Sequence, residues 1–201
     1  PKIVVKESIR GTKDYTNPMG IPMAWSQYLQ DARNVKGLAL GHSVGILPTE
    51  RAKKGEPQAG DYILLIGGPT GEDGVHGATV SSGKTTFETV VRDAAHVQIG
   101  MPIEEIKFKD AVPELRDADC VRVCTDLGAG GIVAITEISE VLGFRVDMAR
   151  MRFKSAGLER WKIVVSESQE RGILVVPTEK IVTALNILER YGVPACLIGE
   201  F

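Results

Sequence analysis

Aromatic side chains are scarce in this chain of 201 residues, at 5%. Its core must therefore come from aliphatic side chains closed by tight loops. Cysteine is rarer still, with only Cys120, Cys124 and Cys196. The first two fall in one expected strand, where four residues span about 13 Å, too far for a disulfide. Their spacing suits no usual zinc motif. Buried, reduced thiols are the expectation, which fits a cytoplasmic protein. No run of eighteen apolar residues occurs, so no membrane-spanning helix is expected, and no signal-peptide pattern is read. Neither sign of charge dominates. A net charge of −2 gives no basic footprint for nucleic acid or for an anionic membrane.

Hydrophobic residues make up 43%, enough for a substantial core in a chain of this length. Continuous apolar runs bounded by glycine mark strands covered on both faces, and Tyr62–Ile66 is the clearest. Strands are expected near 62–66, 120–125, 144–148, 172–176 and 195–199, with helices near 103–112, 132–142 and 179–191. Pro113 should end or kink the first helix. The last three elements form a β–α–β unit. Lys2–Lys6 reads as a short strand, and Gly37–Leu47 as a buried one in which His42 packs as a core residue. Residues 1–58 are expected to be strands and loops integral to the same domain, and 59–201 an α/β domain. The chain opens on Pro1 within an apparent strand and is expected to be a piece of a longer polypeptide.

Glycine is abundant, and two of its clusters lie where ligands bind. Gly67–Ala78 holds five glycines in twelve residues, a loop able to take positive φ and to form anion-binding nests. Gly71, Gly74 and His76 are its phosphate candidates. Gly83-Lys84-Thr85 suggests a nucleotide-binding P-loop, but the required upstream glycine is replaced by Ala78. The second cluster, Asp126-Leu127-Gly128-Ala129-Gly130-Gly131, places a carboxylate at the end of a strand before a glycine-rich helix entry. Ligands bind there in open α/β sheets, and an aspartate beside phosphate can hold Mg²⁺; Asp126 could equally cap the helix. Gly128 and Gly130 are further phosphate candidates. A third stretch, Ser166-Glu167-Ser168-Gln169-Glu170-Arg171, is a dense polar cluster between apolar runs. It reads either as a solvated turn or as a small-molecule site on a rigid frame.

Together, Gly67–Ala78, Asp126–Gly131 and Ser166–Arg171 resemble the phosphoribosylformylglycinamidine synthase family, from about Asp14 to the C-terminus. The glycine-rich stretches alone would be shared with aminoimidazole ribonucleotide synthetase and its relatives; the hexapeptide is the specific part. The resemblance implies an α+β or α/β fold of the aminoimidazole ribonucleotide synthetase C-terminal type, a mixed sheet with packed helices and a partly ferredoxin-like arrangement. It implies substrate contacts at Gln98, Glu167, Ser168 and Gln169, and Mg²⁺ at Asp126. Formylglycinamide ribonucleotide would be the substrate. ATP would be held mostly by an N-terminal half, and ammonia delivered by a glutamine amidotransferase subunit or domain; the fold also allows a homodimer. Met101 departs from the family's usual aspartate, and the family's catalytic histidines and ATP-binding lysine lie upstream of these motifs. The isolated chain is therefore expected to be inactive. Two alternatives are a non-catalytic scaffold copy of the domain and a synthetase of the aminoimidazole ribonucleotide type.

Overall fold

The structure is a computed structural model. It describes every residue except 1, 32, 34–38, 53–54, 78–82, 84–85 and 93. The chain divides into two compact units, Pro1–Lys54 and Gly55–Phe201. Among the described residues no helix is long and apolar enough to cross a membrane.

The first unit begins with helix α1, Lys2–Met19, where a strand was expected over Lys2–Lys6. The β-branched run Ile3-Val4-Val5 favours extension locally, but side chains downstream favour the helix. Arg10 pairs with Glu7 and Asp14 at helical spacing. The hydroxyls of Thr12 and Thr16 donate to carbonyls four residues back. Gly20, at φ +65°, closes the helix as a left-handed cap. Of the strand expected over 37–47, residues 37–38 lie outside the described residues, and 39–47, His42 included, are exposed without regular structure. Gly41 and Gly45 weaken any extended segment there. Lys84 and Thr85 of the P-loop-like triplet also lie outside the described residues.

The second unit holds the sheet. Its strands are β1 Tyr62–Gly67, β2 Val123–Asp126, β3 Arg145–Val146, β4 Arg171–Val176 and β5 Ala195–Glu200. They lie in the order β2-β4-β1-β5-β3, and every pairing is antiparallel, not mixed as expected. The reason lies in the crossovers. Strand β1 leads through a short helix α2, Phe87–Arg92, and helix α3, Pro102–Asp117, into β2, and β4 inserts between the two strands. Strand β4 leads through helix α5, Ile181–Arg190, into β5, and β1 inserts between them. Each βαβ unit is thus split by a strand of the other, the ferredoxin-like arrangement.

Apolar runs in β1 and β4 follow from cover on both faces. Leu64, Ile66, Leu174 and Val176 pack with Ala111 and Leu115 of α3 and Ala184, Ile187 and Leu188 of α5. On the other face Ile63, Leu65, Ile173 and Val175 pack with Leu127, Ile132, Ile135, Met151 and Ile163. Helix α3 continues past Pro113, which is exposed; the carbonyl that loses its partner can be hydrated, and buried Ala111 and Leu115 hold the turns on either side. The helix expected over 132–142 is instead a 3₁₀ turn, Gly131–Glu137. Buried Ile132, Ile135 and Ile138 recur every three residues, the period at which 3₁₀ side chains align. The apolar run Trp161–Val165 lies in a short helix α4, Arg160–Val165, with Ile163 turned inward. The strand expected from Cys120 starts only at Val123, and that expected over 144–148 shrinks to β3. All three thiols are free, but only Cys120 is buried; Cys124, on edge strand β2, is exposed.

Candidate functional site

Residues 166–171 connect α4 to β4 and form the buried centre of the site. Arg171 opens β4 with the strand parity of Ile173 and Val175, so its side chain enters the face opposite α3 and α5. Its guanidinium is buried and donates to the Ser168 carbonyl at 2.9 Å, the Ser166 carbonyl at 2.6 Å and Thr70 Oγ1 at 2.8 Å. Burial pulls its pKa down to about 10, opposed by the Asp73 charge, so it remains a cation at neutral pH. One buried cation thus holds the loop in a fixed shape.

Asp73, from the glycine-rich loop after β1, lies beside it. Its carboxylate receives Lys154 Nζ at 2.8 Å on both oxygens and also accepts the Ser168 hydroxyl. Burial tends to raise the Asp73 pKa, but the hydrogen bonds from Lys154 and Ser168 outweigh it and hold the carboxyl below its ordinary value. The Ser168 hydroxyl also accepts the Gly71 N–H at 2.8 Å. Ser168 has no exposed surface. It was expected to face the substrate, but it lies behind the surface, with its hydroxyl occupied within the protein.

Glu167 points the other way. Its N–H donates to the Asp73 carbonyl at 2.8 Å. Its carboxylate accepts the Gly130 N–H at 3.3 Å and the side-chain amide of Gln98. Three segments far apart in sequence therefore meet at one half-buried carboxylate. The Gln169 amide donates to the Glu167 carbonyl at 3.0 Å, and Gln98 itself is exposed.

Glycines in these loops make room for side chains. A Cβ at Gly74, where φ is +73°, would overlap Glu167. One at Gly71 would lie 2.7 Å from Lys154 Cδ and 2.8 Å from Asp73 Oδ2. Both glycines are buried, and their missing side chains make room for Glu167 and Lys154. His76 is exposed at φ +62°; its ring lies 5.7 Å from that of His96 and 5.4 Å from that of Trp161. The Gly130 N–H is already used by Glu167, while Gly128 is exposed beside the Asp126 carboxylate.

Asp126 lies across the end of the sheet. It shares strand parity with Cys124 and is exposed at the end of β2. Its charge is felt at Glu105 on α3, where burial first, then the charges of Glu170 and Asp126, raise the carboxyl pKa. Among the described residues no group of three His, Cys, Asp or Glu side chains is arranged to hold a metal. Asp126 offers one accessible carboxylate in a negative setting. That suits Mg²⁺, which keeps most of its waters and takes few protein ligands.

The sequence assigned no site role to Asp73, Lys154, Thr70, Arg171 or Glu105. Only Arg171 carried a signal, as a cation closing an apolar-flanked polar cluster. Lys154 lies in a polar loop with no periodicity.

Residues 58–201 match the family described as AIR synthase related protein, C-terminal domain. Phosphoribosylformylglycinamidine synthase subunit PurL of Ignicoccus hospitalis is 34% identical over 98% of this chain and 28% of its own length. The corresponding subunit of Methanothermobacter thermautotrophicus is 34% identical over 96% of the chain and 28% of its own length. The chain thus spans little more than a quarter of these relatives. Among solved structures, Thermotoga maritima PurL complexed with FGAR superposes with a TM-score of 0.63 at 30% identity, over 73% of this chain and 25% of that one. The same protein complexed with ATP gives 0.60 at 26% identity, over 76% and 23%. With the antiparallel sheet, its packed helices and the sequence match in agreement, the chain belongs to the AIR synthase related family and carries that family's C-terminal domain.

Proposed function

We propose that this domain is the substrate-side part of an ATP-dependent carbon–nitrogen ligase of the phosphoribosylformylglycinamidine synthase type. The observation that carries this reading is the junction at Glu167, where Gln98 and Gly130 converge on one carboxylate. Relatives of that name match nearly the whole chain, and Thermotoga maritima PurL, which superposes on 73% of it, was solved with FGAR. A half-buried carboxylate fixed by a backbone N–H and an exposed amide suits a ligand rich in hydroxyl and N–H donors, such as formylglycinamide ribonucleotide. Glu167 and Gln169 would hold its ribose hydroxyls or glycinamide part, with the amide oxygen of Gln98 accepting a further hydrogen bond. Ser168 contributes indirectly, by fixing Glu167.

The reaction transfers the γ-phosphoryl group of ATP to the formamide oxygen, giving ADP and an iminophosphate. Ammonia then adds to that carbon, and phosphate leaves with the oxygen. Such chemistry depends on holding the formamide in line with the phosphoryl donor and on neutralising phosphate charge. Gln98, Glu167 and Gln169 orient; none transfers a proton. Asp126 would hold Mg²⁺, which neutralises phosphate oxygens when bound. The ATP site and a glutamine amidotransferase that supplies ammonia would lie outside these residues.

The test is ADP release by the full-length protein with ATP, Mg²⁺ and ammonia. Release should depend on formylglycinamide ribonucleotide and be absent from this chain alone. Full-length protein that releases no ADP in response to formylglycinamide ribonucleotide would overturn the reading.

A further inference from the structure

We propose that Lys154 is a positioning residue that acts on Glu167 through Asp73, an inference that rests on the substrate reading given above. Lys154 is brought to the site by a bridge between Thr70 and Phe153. The Thr70 N–H donates to the Arg152 carbonyl at 2.8 Å, and the Lys154 N–H donates to the Thr70 carbonyl at 2.9 Å. From there its ammonium reaches both oxygens of Asp73, and its stem passes close to Gly71, where a Cβ would collide with it.

The link from Lys154 to Glu167 is short. Asp73 has two connections to the loop that carries Glu167. Its carbonyl accepts the Glu167 N–H, and its carboxylate accepts the Ser168 hydroxyl one residue on. A carboxylate as buried as Asp73, with 9% of its side chain exposed, needs a charge partner to stay ionised. Without Lys154, Asp73 loses both ammonium hydrogen bonds and keeps only the charge of Arg171, whose N–H groups are used elsewhere; uptake of a proton or of water would then shift both its connections. Glu167 is the residue displaced by such a shift, because Gly74 leaves its side chain no slack.

Lys154 has 37% of its side chain exposed, so an ordinary solvent-facing ion pair would contribute little. Its chelation of a buried carboxylate is what distinguishes it. The chain of effect ends at substrate binding, not at phosphoryl transfer. Loss of Lys154 should therefore raise the KM for formylglycinamide ribonucleotide and leave the KM for ATP unchanged.

The experiment compares full-length wild type, Lys154→Met and Lys154→Arg by steady-state kinetics with ammonia, alongside thermal melting. Lys154→Met should raise the KM for formylglycinamide ribonucleotide about tenfold, the cost of a small misplacement of a binding group. Its KM for ATP should stay within about twofold, and Lys154→Arg should recover most of the loss. A lowered melting temperature with both KM values unchanged, or with both raised equally, would overturn the proposal. If Lys154→Met fails to fold, Lys154→Arg and Lys154→Gln carry the same comparison. Wild type that does not respond to formylglycinamide ribonucleotide would instead count against the substrate reading itself.

Discussion

The two faces of the sheet are covered in different ways. On one, α3 and α5 lay regular helices over Leu64, Ile66, Leu174 and Val176, and the packing is aliphatic. On the other, a 3₁₀ turn, the short helix α4 and several loops cover Ile63, Leu65, Ile173 and Val175. That second cover ends in an ionic network in which buried Arg171, Asp73 and Ser168 meet the partly exposed Lys154. The helical face can be built from hydrophobic pattern alone. The irregular face requires paired charges and glycines with positive φ, and Glu167 is held there. Glu167 lies where backbone irregularity lets distant segments approach one another, whereas Asp126, at the end of β2, has the parity of the helical face.

The largest expected effect breaks the irregular face. Arg171→Met would leave two carbonyls and Thr70 without their donor and Asp73 with Lys154 as its remaining cation, and should cost about 3–5 kcal/mol in denaturant unfolding. Leu115→Ala on the helical face should cost about 2–5 kcal/mol by opening a cavity, and it should leave ligand affinity unchanged in any molecules that remain folded. If both variants altered affinity equally, the two faces would not be functionally distinct.

Gly74→Ala comes next. It sets an alanine at φ +73° against Glu167 and should cost about 1–3 kcal/mol while weakening substrate affinity more than Leu115→Ala does.

A fourth prediction concerns pH. The folded-state pKa of Asp73 is depressed, so its contribution to stability is complete above its unfolded value of about 3.9. It is lost as pH falls through the lower folded value. Urea midpoints measured below pH 4 should therefore fall less steeply in Asp73→Asn than in wild type.

The smallest effect is expected at the exposed Arg145–Glu200 pair, where side-chain exposures are 82% and 44%. Arg145→Ala should change unfolding free energy by at most about 1 kcal/mol.

The helical face was legible in the sequence because its signals are periodic. Tyr62–Ile66 read as a strand covered on both sides, residues 172–176 as a strand, and residues 179–191 as the helix that is α5. The split βαβ topology was expected only through the resemblance to a partly ferredoxin-like fold, not from local pattern, because β4 and β5 do run parallel but the insertion of β1 between them leaves no local trace. In the site, Gln98 and Glu167 were identified by resemblance, and the structure brings their side chains together. Ser168 shows the limit: it adjoins Glu167 and is just as polar, yet it turns inward. Which of two neighbouring polar residues faces solvent depends on Asp73, 95 residues away. Lys154 was invisible for the same reason, since only its partner gives it a role.

The central claim is that Glu167 and Gln98 form one binding surface for the ribonucleotide. Calorimetric titration of formylglycinamide ribonucleotide into full-length wild type, Gln98→Ala, Glu167→Gln and the double variant tests it most directly. The account predicts that each single variant binds at least about tenfold more weakly with little change in melting temperature, and that the double variant loses less than the sum of the two. Wild-type affinity in both single variants would contradict it.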